Sequence, residues 1–229
     1  NYLEYDAAVP GNHDIEPGHA VYDRWIAECN FPVLAANIIS VKSGELYLPP
    51  YKVFTKAGVK IAVLGMITQA IPAWLPENLW SGLCFEEIQP TAAKWVPYIL
   101  EHEKPDVMIA LIHSGLSGGN LTDYHENEAL FLAQTVPGLD VVFYGHDHSP
   151  CSEKIVNTQN DSVLVINPGA WGYSMSDVSI QVKKEGGKVT SKTVSGKLTD
   201  ITDIDPDPEF LKKFNNAYET VSTYVNEEI

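Results

Sequence analysis

The chain has 229 residues and a mass of 25.3 kDa, enough for one ordinary domain with a sizeable core, and its 45% hydrophobic and 20% charged content excludes a disordered chain. Fifteen Lys and Arg against thirty Asp and Glu give a net charge of −15, with Arg24 the one arginine. Such a surface repels phosphate backbones, which excludes a groove for long nucleic acid or a docking face for an anionic membrane. No apolar run reaches the ~18–20 residues of a membrane-spanning helix. Cys29, Cys84 and Cys151 are scattered singly and read as small buried hydrophobes, not as disulfides or zinc ligands. The first residue is Asn1, with no initiator Met or signal peptide, so the expectation is a piece of something longer.

Short apolar runs alternate with helical patterns, which predicts an α/β architecture. Asp6–Pro10 reads as a short strand ending in a Gly-rich turn, His19–Cys29 as a helix, and Pro32–Ala35 as a second buried strand. Tyr51–Thr55 and Lys60–Thr68 flank Ala57-Gly58 as a hairpin. A loop rich in Pro and Trp follows, then a helix over Pro90–His102. Asp106–Ile112 and Leu139–Tyr144 are apolar throughout, as expected of strands covered on both faces, with a helix over Glu126–Thr135 between them. Ser162–Ile166, Val178–Lys183 and Lys188–Val194 are further strands, the last two joined at Gly186-Gly187. Asp207-Pro208-Glu209 caps an amphipathic helix to about Val225. Residues 1–199 are read as one unit and 200–229 as linker and C-terminal helix.

Three of these strands end in polar clusters: Gly11-Asn12-His13-Asp14, His113-Ser114-Gly115 and Gly145-His146-Asp147-His148. The carboxyl ends of strands in an open α/β sheet share one edge, where ligands bind. Four of the seven histidines therefore meet there although His13 and His148 are far apart in sequence. Imidazole nitrogens beside the Asn12 amide oxygen suit zinc, manganese, iron or nickel better than a hard calcium cage. Ser114, the one hydroxyl in the clusters, lacks a G-x-S-x-G elbow and reads as structural.

The runs VPGNHD, IHSG and YGHDH resemble the calcineurin-like metallophosphoesterases, and most of all the branch of bacterial 5′-nucleotidases and 2′,3′-cyclic-nucleotide 2′-phosphodiesterase/3′-nucleotidases, over roughly Asp6–Val182. Ala73–Val96 and the run ENEALFLAQTVPGLD are similar to the cyclic-phosphodiesterase side, whereas Glu16, three residues after His13, is similar to the 5′-nucleotidase side. The resemblance implies an α/β/β/α sandwich and two divalent ions (Zn, Mn, Fe or Ni) that clamp a phosphate for attack by a bridging water. It assigns Asn12, His113 and His146 to one ion and His148 to the other, with His13 on the phosphoryl oxygens, oriented by Asp14 or Glu16. A small nucleotide is the implied substrate, and a periplasmic or cell-surface location follows from the same resemblance. Trp171 and Tyr173 are placed either against substrate or in core or rim packing.

The family's D-x-H and G-D-x-x motifs, which precede the GNH segment, are not in the sequence. The expectation is a fold missing its N-terminal strands, with an exposed apolar sheet edge and a site completed by a further N-terminal segment or a partner chain. The ligands present are neutral when coordinated, so two divalent ions have no anion beside them and the isolated chain is expected to load metal poorly. An inactive phosphoesterase-like binding module and a phosphatase of another substrate class are the alternatives weighed.

Overall fold

The computed structural model describes residues 1–227, so Glu228 and Ile229, the end of the expected 200–229 segment, lie outside the described residues. The elements in chain order begin with helices α1 (Asn12–Ile15) and α2 (His19–Glu28), then strands β1 (Ile38–Ser40), β2 (Tyr51–Lys56) and β3 (Val59–Ile67). Helices α3 (Ile71–Trp74) and α4 (Glu77–Trp80) precede β4 (Leu83–Phe85), helix α5 (Ile88–His102) and β5 (Val107–His113). Then come α6 (Ala129–Thr135), β6 (Val141–Tyr144), β7 (Cys151–Val156), β8 (Ser162–Asn167), β9 (Ser174–Glu185), β10 (Lys188–Asp200) and α7 (Pro208–Val225).

The central sheet runs β2-β3-β5-β6-β8-β7. Its four inner strands are parallel, and the edge strands β2 and β7 are antiparallel to their neighbours. Alternation along each strand sends Ala62, Leu64, Met108, Ala110, Val142, Val163 and Val165 to one fully buried face. Against it, α5 presents Ile88, Ala92, Val96 and Ile99 at helical spacing, and α6 presents Ala129, Leu132 and Ala133. Each large aliphatic side chain so buried contributes about 1.5–3 kcal/mol. On the opposite face the β9–β10 hairpin lays Val178, Ile180, Val194 and Leu198 over Val141, Leu164 and Ile166. Lys184 Nζ at 2.7 Å from Asp106 and Lys192 Nζ at 2.6 Å from Asp140 tie the hairpin to the sheet. Its turn is Gly186-Gly187, both at positive φ, as a tight two-residue hairpin requires. Helix, sheet and hairpin thus stack in three layers.

The hairpin stops short of β2, β3 and most of β5. There Phe54, Ile61, Val63, Leu111 and Phe143 line an open apolar groove of about 470 Å³. The open surface expected along a sheet edge is therefore on a sheet face, and β3 and β5 are covered on one face instead of two.

Several local expectations are corrected. Asp6–Pro10 and Pro32–Ala35 form no strand beyond one parallel bridge, Ala8 to Val33, since Pro10 and Pro32 bring no N–H to a ladder. The helix expected from Glu126 starts at Ala129, because Glu126, Asn127 and Glu128 are engaged in loop contacts described below. Strand β7 was hidden by its exposed polar run Ser152-Glu153-Lys154, normal for an edge strand. Cys84 is exposed and Cys29 and Cys151 are half-buried, not core residues. At the end of the chain, Asp207 caps α7 by accepting from the Glu209 and Phe210 N–H groups, and Tyr2 packs on Phe210 and Phe214. No described helix is long and apolar enough to cross a membrane.

Candidate metal centre

The three polar turns arrive at one sheet edge by different routes. The first follows the Ala8–Val33 bridge: Gly11 donates its N–H to Asp14 Oδ2 at 2.8 Å, which closes the first turn of α1 and sets Asn12. Gly11 also lies flat on the His113 imidazole, where an added Cβ would stand 2.9 Å from Cε1. His113 is the last residue of β5, and its Nε2 lies 2.8 Å from Asn12 Oδ1. These two side chains, 101 residues apart, form the centre of the site.

The third turn follows β6. His146 takes φ of +87° and His148 +57°, a conformation that costs a non-glycine residue energy and marks a position fixed by its surroundings. Asp147 between them supplies the restraint. Its Oδ2 accepts from the Leu116 N–H at 2.7 Å, and its Oδ1 accepts from the Ser149 N–H at 3.1 Å and from Asn167 Nδ2 at 2.8 Å. The His146 ring is thereby held 5.1 Å from that of His113, centroid to centroid, with Trp74 at 5.2 Å on another side. His148 points out to solvent beside the exposed Trp171 ring, 6.0 Å away.

The other expected site residues are arranged less symmetrically. His13 is exposed and its Nδ1 sits 2.7 Å from Glu16 Oε1. Asp14 is turned back to the Gly11 N–H, so Glu16 is the acid that orients His13. Ser114 is fully buried, donating to the Glu126 carbonyl and accepting from the Glu128 N–H, a structural role. Trp171 is 82% exposed and Tyr173 62%, so neither is a core residue. They line an open groove of about 420 Å³ together with His148, Pro150 and Leu198.

Burial, followed by the neighbouring imidazoles of His146, His13 and His148, pushes His113 down to about 3. His113 is therefore neutral at ordinary pH, the form in which imidazole ligates a metal. A neutral imidazole and a carboxamide oxygen 2.8 Å apart, flanked by a second imidazole, fit a borderline divalent ion. Among the described residues no three His, Cys, Asp or Glu side chains form a ligating group.

Two residues near the centre escaped the sequence reading. Glu126 places Oε1 3.1 Å from His146 Nε2, and Trp74 packs on the same ring. Glu126 is the first residue of the helix the sequence predicts; its neighbours Asn127 and Glu128, polar residues immediately before the apolar helical pattern, are the signal for a cap region instead.

Comparison with known proteins adds a second line of observation. The profile of the calcineurin-like phosphoesterase superfamily domain matches residues 4–182. A 2′,3′-cyclic-nucleotide 2′-phosphodiesterase/3′-nucleotidase of Salmonella typhimurium is 29% identical over 206 residues, covering 82% of this chain and 32% of that protein. A 5′-nucleotidase of Vibrio cholerae is 32% identical over 154 residues, covering 66% of this chain and 28% of that protein. The chain spans about a third of the length of such curated relatives. The solved structure of the calcineurin-like phosphoesterase YfkN from Bacillus subtilis superposes with a TM-score of 0.81 at 24% identity, over 98% of this chain and 73% of that one, and so shares the fold.

Proposed function

This chain belongs to the calcineurin-like phosphoesterase superfamily, and from that premise we propose that it carries part of a metal-dependent site hydrolysing nucleotide phosphate esters, of the 5′-nucleotidase or 2′,3′-cyclic-nucleotide phosphodiesterase/3′-nucleotidase kind. The observation that carries the reading is the meeting of Asn12, His113 and His146 from three separate turns at one sheet edge. In this reading Asn12, His113 and His146 hold one divalent ion and His148 contributes to a second. Bound there, such ions neutralise phosphate charge and acidify a water.

The chain's own groups do the rest. His113, neutral and hydrogen-bonded through Nε2 to Asn12 Oδ1, would offer a lone pair to an ion that displaces that hydrogen bond, where a charged imidazole would repel a cation. His13, with Nδ1 engaged by Glu16, presents Nε2 to a phosphoryl or leaving-group oxygen, preorganised charge stabilisation of the kind phosphoryl transfer requires. The groove beside His148 offers Trp171 and Tyr173 as flat apolar surface for a nucleoside. The chemistry is assigned to residues 1–199, with 200–229 as linker and helix.

The proposal includes completion of the site by further chain, either contiguous or from a partner, seated on the apolar groove of Phe54, Ile61, Val63, Leu111 and Phe143. It adds the anionic ligands that Asn12 and the histidines lack. By resemblance the protein works in the periplasm or at the cell surface. The test is metal analysis together with hydrolysis of p-nitrophenyl phosphate and 2′,3′-cyclic AMP by the intact protein loaded with manganese or zinc. Turnover of at least one supports the reading; turnover of neither by metal-loaded protein overturns it.

A further inference from the structure

The Glu126 carboxylate has no role in the residue assignments above, yet its placement is specified from several directions. Its backbone carbonyl accepts from both Thr68 Oγ1, at 3.0 Å, and Ser114 Oγ, at 2.9 Å. The next two residues are fixed as well, Asn127 Oδ1 accepting from the Gly115 N–H and the Glu128 N–H donating to Ser114 Oγ. Of the two carboxylate oxygens, Oε2 accepts from the Leu121 N–H at 3.0 Å. Gly119, at φ of +110°, leaves the room: a Cβ there would stand 2.5 Å from Oε2. Only Oε1 is left, and it meets His146 Nε2 at 3.1 Å with both side chains largely buried, 12% exposed for the histidine and 13% for the acid.

An ionised carboxylate accepts and does not donate, so this contact places the imidazole proton on Nε2. In the neutral ring Nδ1 then carries the lone pair, and it has no hydrogen-bond partner among the described residues. We infer that Glu126 is a positioning residue that fixes the tautomer and ring orientation of His146, so that Nδ1 is the nitrogen presented to the metal. A carboxylate behind a ligating histidine does this in many metal sites, raises the basicity of the ligand and contributes 10- to 100-fold to metal affinity. It also supplies, one bond removed, negative charge that the neutral ligands lack. The strained φ of +87° at His146 fits the same purpose, since a ring held at both backbone and Nε2 has little freedom left.

This inference rests on the metal reading proposed above, and the experiment separates the two. In protein labelled with ¹⁵N-histidine and kept in chelator at a pH high enough that every imidazole is neutral, long-range ¹H–¹⁵N spectra report the protonated nitrogen of each ring. The expected result is His146 with a proton on Nε2 and none on Nδ1, and loss of that preference in Glu126→Ala. Titration of the intact protein with Co²⁺ should then show affinity about 10- to 100-fold lower in Glu126→Ala than without the substitution, with the melting temperature in chelator little changed. An Nδ1-protonated His146 in the unaltered chain overturns the inference without any variant, so a poorly folding variant leaves it decidable. Equal Co²⁺ affinity in the two proteins overturns it while leaving the metal reading intact. Absence of Co²⁺ binding by the intact protein, its site completed, at millimolar concentration overturns both.

Discussion

Gly11→Ala tests the construction of the site at the place where it is tightest. Gly11 has φ of −102° and ψ of 172°, a conformation that alanine adopts freely, so the substitution brings no backbone strain. What it brings is a methyl group 2.9 Å from His113 Cε1, 3.1 Å from Nδ1 and 3.2 Å from Nε2. Carbon atoms in contact prefer about 3.5–4.0 Å, so the imidazole must retreat by roughly 0.5–1 Å. Crowding of this kind costs about 1–3 kcal/mol. The loss of unfolded-state entropy on replacing glycine offsets about 0.4–1 kcal/mol of that. The same retreat opens the 2.8 Å contact between Asn12 Oδ1 and His113 Nε2. Denaturant unfolding in chelator should therefore show Gly11→Ala destabilised by about 1–2 kcal/mol, and metal titration should show weaker binding. In a His113→Ala background the methyl group has nothing to strike, and the cost of Gly11→Ala should largely vanish. A cost of the same size in both backgrounds, or none in either, refutes the packing argument.

Two other outcomes are expected. In the intact protein, His146→Ala should lower bound metal in elemental analysis, whereas His13→Ala should keep its metal and lose about 10²–10⁴ in turnover; metal loss in both would make His13 a ligand. Glu128 is buried and burial raises its carboxyl above the ordinary value, against the opposing Gln89 N–H, His125 and Gln69 contacts. The folded state then binds that proton at higher pH than the unfolded chain does, so this group costs stability as pH rises above the unfolded carboxyl value. Glu128→Gln should gain on the wild type between acidic and neutral pH, read from paired unfolding curves, and a gain that shrinks as pH rises contradicts the assignment.

The parts of the fold that depend on periodicity were readable from residue order. DVMIALI and LDVVFY became the inner strands β5 and β6, whose parallel carboxyl ends bring the His113 and His146 turns to one edge, whereas the Asn12 turn reaches that edge after the single Ala8–Val33 bridge and not from a strand of the sheet. Orientation within the turns was less accessible. Whether Asp14 or Glu16 holds His13 depends on which carboxylate closes the α1 turn, and Asp14 does so because it lies three residues from the Gly11 N–H. Glu126 was illegible for a related reason: an acid next to a helical pattern reads as a solvated helix face until Thr68 and Ser114 are seen holding its backbone. The apolar strands concealed the open groove, since residue type alone does not tell which face of a sheet has a neighbour.

The most direct measurement of the central claim is anomalous scattering from a crystal of the protein soaked in zinc. The account predicts a peak within about 2.0–2.2 Å of Asn12 Oδ1 and of ring nitrogens of His113 and His146. A zinc peak bound elsewhere, with Asn12 and His113 still bonded to each other, would contradict it.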